Sequence, residues 1–220
     1  FSFYFSHQIS SVEGGMLCCK NKQDEDIIKS LRSHGWVKEL SNRKKIEKKY
    51  KAINKNFFFI NSGFNLRPTD IQAAIGLSQF KSLDSFIKIR KLNRNNIIKK
   101  ITTDKRWNNQ VSFVKKKDKS EPSWFGLAML INKKFKHQKK LILSKLDKLG
   151  IENRPIISGN FLKQPALRKY NISQKAISFP NANHVHEYGL FVGLKNITMS
   201  QNEINKFVNI FFKSFALQKK

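Results

Sequence analysis

The N-terminal stretch restricts most strongly what this chain can fold into. It reads Phe-Ser-Phe-Tyr-Phe-Ser-His-Gln-Ile-Ser-Ser-Val-Glu-Gly-Gly-Met. The aromatic residues at its start favour a β-strand, and the polar residues from Ser6 onward favour a turn. Gly14 and Gly15 allow a tight backbone path into a second, short apolar run at residues 16–19. The stretch therefore predicts two strands around a turn, with His7 at the end of the first strand.

Alternating helix and strand signals follow along the rest of the chain. Two predicted helices begin with a capping-box pattern, in which a hydroxyl residue precedes a Glu or Gln by three positions. The predicted helices are 23–34, a segment from Thr69 running past Arg90, 141–149, and a segment from Ser200 toward the C-terminus. Further predicted strands are 123–131 and a short one at 156–157, and a short apolar run lies at 57–60. The lysine-rich residues 38–56 show little periodicity and predict an exposed loop.

The amount of apolar sequence predicts a folded chain that does not cross a membrane. The 220 residues are 40% hydrophobic and 12% aromatic, which is enough for a packed core. The longest apolar runs fall well short of the roughly 18 residues that a spanning helix needs. No signal-peptide pattern is visible, and strand-like sequence at the first residue predicts an N-terminally incomplete protein.

Cysteine and histidine usage predicts a reducing compartment and no metal site. Cys18 and Cys19 are adjacent and rarely pair in that arrangement, which favours a cytoplasmic location. His184 and His186 have the spacing of a metal pair on a strand, but no third ligand follows nearby, so we predict no metal.

The formal net charge of +28 raises the possibility of a nucleic-acid partner. Abundant lysine, asparagine and isoleucine also result from an AT-rich genome without selection for binding. A surface of solvated lysines is therefore the favoured interpretation, and no nucleic-acid partner is predicted. A basic nucleic-acid-binding module stays the alternative from outside enzymology.

Four separated motifs occur in one order along the chain. They are Ser-Phe-Tyr-Phe-Ser-His with Glu-Gly-Gly (residues 2–15), Gly-Phe-Asn-Leu-Arg-Pro-Thr-Asp-Ile-Gln-Ala-Ala (63–74), Glu-Pro-Ser-Trp-Phe-Gly (121–126) and Gly-Asn-Phe-Leu-Lys-Gln-Pro (159–165). Together they resemble the DegT/DnrJ/EryC1/StrS family of sugar aminotransferases, which are fold-type-I pyridoxal phosphate enzymes. Each motif alone is weak, whereas four in register are specific. The resemblance covers nearly the whole chain but only the C-terminal half to two-thirds of such a protein.

The resemblance implies an α/β fold, namely the C-terminal part of a fold-type-I transferase. Residues 1–68 are expected to end the large cofactor-binding α/β domain, and 69–92 to form a connector helix. Residues 93–220 are expected to form the smaller α+β domain. It also implies a cofactor cradle upstream of Phe1, so the chain alone is expected to be inactive.

The resemblance assigns the central chemistry to His7. Most members of the family carry at this position a lysine that binds the cofactor covalently. A histidine there resembles the branch of sugar 3-dehydratases, in which pyridoxal or pyridoxamine phosphate is held non-covalently and the imidazole acts as a base. On spacing alone, the favoured interpretation of His7 is a strand-end histidine hydrogen-bonded to a loop. An aminotransferase or a non-catalytic relative remains the alternative.

The remaining expected site residues also come from the resemblance. Ser2 is expected to contact the cofactor phosphate, and Asn65 to reach the phosphate in a neighbouring subunit, which implies a homodimer with shared sites. The expected substrate-binding residues are Glu13, Arg67, Trp124, Arg154 and Asn160. Each of these residues also has a purely structural interpretation, as a turn, surface or core residue.

The same resemblance gives the partners. A sugar nucleotide is the expected substrate, and an amino donor such as glutamate is expected, in polysaccharide or deoxysugar synthesis. One branch of these dehydratases carries an iron–sulfur cluster, which needs four cysteine ligands. This chain has two cysteines, so we predict no cluster.

Overall fold

The structure, a computed structural model, describes residues 1–170, 172, 175 and 178–216. The chain divides into two compact units, Phe1–Leu83 and Asp84–Lys220. The division at 1–68, 69–92 and 93–220 stays a prediction. Within the described residues, no helix combines the length and the apolar character needed to cross a bilayer.

The first unit opens with a narrow hairpin. Ser2 pairs with Gly15 in an isolated antiparallel bridge. The Phe3 N–H donates to the Gly14 carbonyl at 2.9 Å, and the Ser11 N–H donates back to the Phe3 carbonyl at 2.9 Å. Because Ser11 folds back onto Phe3, the ladder stops there, and the two predicted strands are reduced to one bridge.

Helix α1, Lys22–Arg32, follows the hairpin as predicted. The Asn21 side chain caps it by accepting from the Asp24 N–H at 2.8 Å. Acidic residues in its first turn and basic residues in its last complement the helix dipole. Gly35 follows at φ +89°, a conformation in which other residues are strained.

The lysine-rich segment is not only a loop, because it contains helix α2, Arg43–Lys49. The prediction of an exposed loop over 38–56 was wrong for these residues. Ile46 packs against a small core made by Val37, Leu40 and Phe58. A helix with one apolar residue in its seven leaves no periodic pattern in the sequence.

Two consecutive helices follow. Helix α3, Asp70–Phe80, begins with the predicted capping box, in which Thr69 and Gln72 bond reciprocally. Helix α4, Leu83–Thr102, begins after a break at Lys81 and Ser82. The predicted segment from Thr69 past Arg90 is thus two helices.

The second unit contains a three-stranded antiparallel sheet in the order β1–β2–β3. The strands are β1 Val111–Phe113, β2 Gly126–Ile131 and β3 Gly189–Gly193. In register, Val111 faces Ile131 and Ala128 faces Phe191. Strand β2 confirms the strand predicted within 123–131.

Helices cover this sheet and close one core. They are α4, α5 Lys139–Lys148, α6 Pro180–Tyr188 and α7 Gln201–Phe215. Core side chains come from α4, all three strands, α5 and α7, with Ile97, Leu127, Leu146 and Phe211 at 1% exposure or less. Helix α7 begins with the second predicted capping box, Ser200 with Glu203.

Two local predictions in this unit were wrong. The strand predicted at 156–157 is a turn, and Ile157 adopts φ +49° and is 77% exposed. Pairing with β3 ends at the bridge between Arg154 and Phe191. His184 and His186 lie on helix α6 rather than alternating along a strand.

Candidate active site

His7 closes a tight turn at the tip of the N-terminal hairpin. Its backbone N–H donates to the Tyr4 carbonyl at 3.0 Å. The rings of Tyr4 and His7 meet edge to face, with centroids 5.9 Å apart. The imidazole is partly exposed, so turn and ring contact hold it in place while solvent or a ligand still reaches it.

Ser2 and Glu13 belong to the same hairpin. The Ser2 hydroxyl oxygen accepts from the Tyr4 N–H at 3.3 Å, which leaves its proton for another acceptor. The Glu13 backbone carbonyl accepts from the buried Ser11 hydroxyl at 2.8 Å. Glu13 itself is exposed. The hairpin therefore brings three of the predicted site residues, including His7, into one small element.

Gln72 connects this hairpin to the second predicted cluster. Its side-chain amide donates to the Glu13 carbonyl at 3.1 Å, while its oxygen accepts from the Thr69 N–H at 3.0 Å. Gln72 thus fixes the start of α3, which follows Asn65 and Arg67, against the hairpin. The capping box was visible in the sequence, but nothing there indicated a contact across 59 positions.

The segment carrying Asn65 is locked against the end of α1. Asn65 pairs with Ser33 in an antiparallel bridge, and the Phe64 N–H donates to the Leu31 carbonyl at 2.7 Å. A Cβ on Gly63 would lie 2.3 Å from the Gly35 nitrogen, so the two backbones touch. Asn65 and Arg67 are exposed, and their backbone position is therefore fixed while their side chains face outward.

In the second unit, Trp124 is held by core packing and a cation. It packs partly buried against the main core at φ +41°. The Arg94 guanidinium stacks over its ring, 3.7 Å from the centroid, and donates to the Val114 carbonyl at 2.5 Å. Burial lowers the pKa of Arg94. One face of the indole is thus already covered by Arg94.

Arg154 lies beside the same strand region. Its guanidinium sits over the Phe191 ring at 4.2 Å, and the residue is otherwise exposed. The Phe125 and Phe191 rings are 5.6 Å apart, and a Cβ on Gly126 would lie 2.1 Å from the Phe191 ring. Phe191 therefore links Arg154 to the segment that carries Trp124. This phenylalanine was not singled out from the sequence, where it reads as an ordinary strand residue.

Asn160 is 2% exposed and bonds both its own loop and helix α6. Its oxygen accepts from the Leu162 N–H at 3.1 Å, and its amide donates to Asn183 at 2.9 Å. Gly159 packs so closely that a Cβ would lie 2.3 Å from the His186 Cα. These contacts fasten the loop onto α6.

A cavity of about 350 Å³ lies beneath this loop. It is lined by residues 155–159, Lys139, Gln164, Val185 and His186. The Lys139 ammonium donates to the His186 carbonyl at 3.2 Å and to the Glu187 carbonyl at 2.9 Å, and burial lowers its pKa. Lys139 therefore caps the end of α6 beside the cavity.

Comparison with protein families decides the ancestry of the chain. Residues 1–211 match the DegT/DnrJ/EryC1/StrS aminotransferase family. The chain belongs to that family. This match confirms the predicted family and covers both units.

Individual members agree with the family match. A GDP-4-keto-6-deoxy-D-mannose 3-dehydratase of Yersinia pseudotuberculosis is 32% identical over 209 residues, which cover 94% of this chain and 52% of that protein. The E. coli GDP-4-keto-6-deoxy-D-mannose-3-dehydratase solved with bound hydrated PLP superposes with a TM-score of 0.78 at 29% identity, covering 96% of this chain and 53% of that one. The predicted fold class is confirmed by this superposition.

An aminotransferase is also similar. The Helicobacter pylori UDP-4-amino-4,6-dideoxy-N-acetyl-beta-L-altrosamine transaminase is 30% identical over 155 residues, which cover 69% of this chain and 36% of that protein. The DegT-family chain described here spans about half the length of the dehydratases it matches.

The donor groups of the hairpin fit a phosphorylated cofactor held without a covalent bond. Residues 1–19 contain no lysine, so no side-chain amine is available there. Ser2 offers a neutral hydroxyl donor for a phosphate, and His7 offers a partly exposed imidazole. This combination suits a cofactor that is bound by hydrogen bonds and deprotonated by a base.

Proposed function

We propose that the complete protein is a 3-dehydratase of a 4-keto-6-deoxy sugar nucleotide in polysaccharide or deoxysugar synthesis. The observation that carries the proposal is the position of His7, which closes the hairpin turn in a stretch without lysine. The family's usual members carry a lysine at this point of the same motif. Replacing an amine by an imidazole removes the covalent cofactor bond and keeps a base.

Pyridoxamine phosphate, when bound, supplies an amine that condenses with a ketone and a pyridine ring that accepts electrons. His7 takes up a proton at the C4′ carbon, which allows the 3-hydroxyl of the sugar to leave. An imidazole suits this step because its ring nitrogens can accept and return a proton. The turn and the Tyr4 contact orient the ring for it.

The other residues of the first unit bind and orient. Ser2 donates its hydroxyl proton to the cofactor phosphate. Asn65 donates its amide to the phosphate of a neighbouring subunit, which makes the working protein a homodimer. Its exposed side chain on a locked backbone supports this role. Arg67 and Glu13 are both exposed; Arg67 contacts phosphate or substrate, and Glu13 contacts substrate.

The second unit supplies the sugar-nucleotide contacts. Arg154 has an exposed guanidinium, a group that pairs well with a diphosphate. Trp124 presents the part of its indole that Arg94 leaves uncovered, and Asn160 holds its loop in shape. The Yersinia pseudotuberculosis relative is a GDP-4-keto-6-deoxy-D-mannose 3-dehydratase, so GDP is the first nucleotide to test. An amino donor such as glutamate regenerates the amine form of the cofactor.

A reducing compartment suits this protein. Cys18 and Cys19 are both free and exposed, and exposed thiols persist where disulfides do not form. We therefore place the enzyme in the cytoplasm, where nucleotide sugars are made.

The test is a substitution in the complete protein. His7→Asn should lower the rate of 3-deoxy sugar formation by about 100- to 10,000-fold, the usual contribution of a general base. Cofactor affinity, measured by absorbance titration, should change little. His34→Asn is the matched control, because His34 is an exposed histidine of the same unit and asparagine tolerates its φ of +61°. A His7→Asn enzyme that keeps its rate would refute the proposal.

The second candidate is a sugar-nucleotide aminotransferase, which the Helicobacter pylori relative supports. The two differ in product, a 3-deoxy sugar against a 4-amino sugar, which mass spectrometry separates. Borohydride gives a second readout, because it fixes the cofactor to the protein only where a lysine has bonded to it covalently, which the 3-dehydratase proposal excludes. A protein that forms neither product is a non-catalytic relative.

A further inference from the structure

Three aromatic rings form a row on the surface of the first unit. Trp36 pairs with Phe59 in an antiparallel bridge. The Trp36 ring stacks nearly parallel to the rings of Phe57 and Phe59, with centroids 6.4 and 6.1 Å away. Phe57 is 69% exposed and Phe59 is 50% exposed. We call Trp36, Phe57 and Phe59 the aromatic row.

The extended backbone at the Trp36–Phe59 bridge directs successive side chains to opposite faces. Phe58 and Val37 face the small core of this unit at 3% and 0% exposure, so Trp36 and Phe59 face the other way. Phe57 ends the 3-10 helix Lys55–Phe57 and is exposed. The Trp36 indole N–H donates to the Asn56 carbonyl at 3.0 Å, which fixes the ring plane. The row is therefore a pre-ordered, parallel set of ring faces and not a loose apolar patch.

Positive charge accompanies the row. The Lys38 ammonium lies 5.1 Å from the centroid of the Trp36 ring. Residues 38–55 contain eight basic and two acidic residues. Both acids are already engaged, Glu39 by Arg32 and Glu47 by Arg43. Ile46 packs α2 against the small core beneath the Trp36–Phe59 bridge. The exposed lysines of α2 therefore belong to the same part of the unit as the aromatic row.

We infer that the aromatic row is a binding surface for single-stranded nucleic acid. Unpaired bases stack on Phe57 and Phe59, Lys38 contacts a phosphate, and the lysines of α2 add a long-range attraction. A purely apolar partner would leave this positive field without a counter-charge. A duplex would not serve, because its bases already stack on each other. The aromatic row shares no residue with the His7 hairpin, and the proposal does not depend on the proposed enzyme activity.

The net charge of the sequence alone predicts no such partner. A lysine-rich composition without an organised surface indeed predicts weak, non-specific attraction only. The aromatic row adds a second source of affinity. Its parallel, exposed rings beside a cation provide base stacking in addition to charge.

The experiment is fluorescence anisotropy of the complete protein with a labelled oligouridylate of about twelve nucleotides, a length within the usual site sizes. We expect saturable binding that quenches Trp36 emission. Phe57→Ala with Phe59→Ala should weaken binding by about 10- to 100-fold, as expected for losing one or two stacked bases. Lys38→Gln should reduce the slope of log affinity against log salt by about 0.7.

Phe80→Ala is the matched control, since Phe80 is 62% exposed in the same unit and lies outside the aromatic row. It should leave binding unchanged, and circular dichroism should show all variants folded. Three results would each overturn the inference: no binding, equal binding of a mononucleotide and the oligomer, or a double variant that binds as wild type. Heparin has charge but no bases. If heparin displaced the labelled oligomer as well as unlabelled oligouridylate does, binding would depend on net charge alone, and the inference would be overturned.

Discussion

Replacing Asn93 by aspartate tests how the second unit is held together. Asn93 is fully buried on α4. Its amide donates to the Lys195 carbonyl at 3.2 Å and to the Ile197 carbonyl at 2.8 Å, and its oxygen accepts from the Met199 N–H at 3.0 Å. It therefore fastens α4 to the connection between β3 and α7.

Asn93→Asp keeps the shape of the side chain and removes both donors. Two buried hydrogen bonds are lost, at about 1 kcal/mol each, and the carbonyls that received them now face a carboxylate. Leaving these groups unsatisfied adds about 1–3 kcal/mol, so we expect a loss of about 3–5 kcal/mol at neutral pH. That is a large part of the roughly 5–15 kcal/mol that stabilises a typical domain.

The pH dependence gives the loss a signature. Facing carbonyls in a buried site, the new carboxyl has a pKa in the folded state above its unfolded value near 3.9. The destabilisation is therefore full above the folded pKa. It shrinks as pH falls toward the unfolded value, because the protonated carboxyl can donate to one carbonyl again.

Urea unfolding followed by circular dichroism measures the loss, and hydrogen exchange in α7 locates it. Asn95→Asp is the matched control, an identical change on an exposed residue two positions along the same helix. It should alter stability by less than about 0.5 kcal/mol. If Asn93→Asp were equally mild, or if its loss did not vary with pH, the assigned hydrogen bonds would not be what holds this connection.

Three further outcomes are expected. Gly126→Ala should cost about 1–3 kcal/mol in urea unfolding because its methyl group meets the Phe191 ring, and Phe191→Leu should restore part of that loss. Gln72→Ala should speed hydrogen exchange in both the N-terminal hairpin and the first turn of α3, since one side chain bonds both. The Lys195 ammonium and the Ser200 N–H lower the pKa of Glu203 from 4.5 to about 2, so this carboxylate stabilises the fold above pH 4.5 and that contribution is lost as pH falls toward 2. Glu203→Gln should therefore flatten acid unfolding between those values, and unchanged acid unfolding would contradict the assignment.

Sequence patterns predicted the elements whose signals are local. The capping boxes at Thr69 and Ser200 lie where they were expected, because hydroxyl and carboxamide or carboxylate groups three residues apart satisfy each other's backbone. The apolar spacing of α5 and the apolar run of β2 were likewise sufficient.

Elements that depend on distant contacts were not predictable. Helix α2 is stabilised by the packing of Ile46 against Val37 and Phe58. A single apolar residue gives no hydrophobic periodicity from which the helix could be predicted. The turn at Ile156–Ile157 interrupts a β-branched pair that reads as a strand, because the ladder on β3 ends at Arg154. Tertiary pairing overrode local propensity in both cases.

The site divides in the same way. The motif around His7 identified the position of the histidine, and the structure adds how the turn and Tyr4 hold it. The sequence suggested a sugar contact for Asn160, and its hydrogen bonds to Leu162 and Asn183 fasten a loop to α6. The catalytic role of His7 and the binding roles of the other site residues stay predictions until the complete protein is assayed.

The contact between Gly35 and Asn61 has an evolutionary consequence. A Cβ at Gly35 would lie 1.6 Å from the Asn61 carbonyl oxygen, so the two ends of residues 36–60 already touch. When the two ends of a segment are held together, lengthening the segment costs little loop-closure entropy, about 0.6 kcal/mol for each doubling of its length. Insertions, deletions and exchanged surface sequence should therefore accumulate between these two residues among relatives, outside the small core and the aromatic row, while the glycine itself resists replacement. A foreign peptide inserted between Gly35 and Asn61 should likewise leave the histidine hairpin undisturbed.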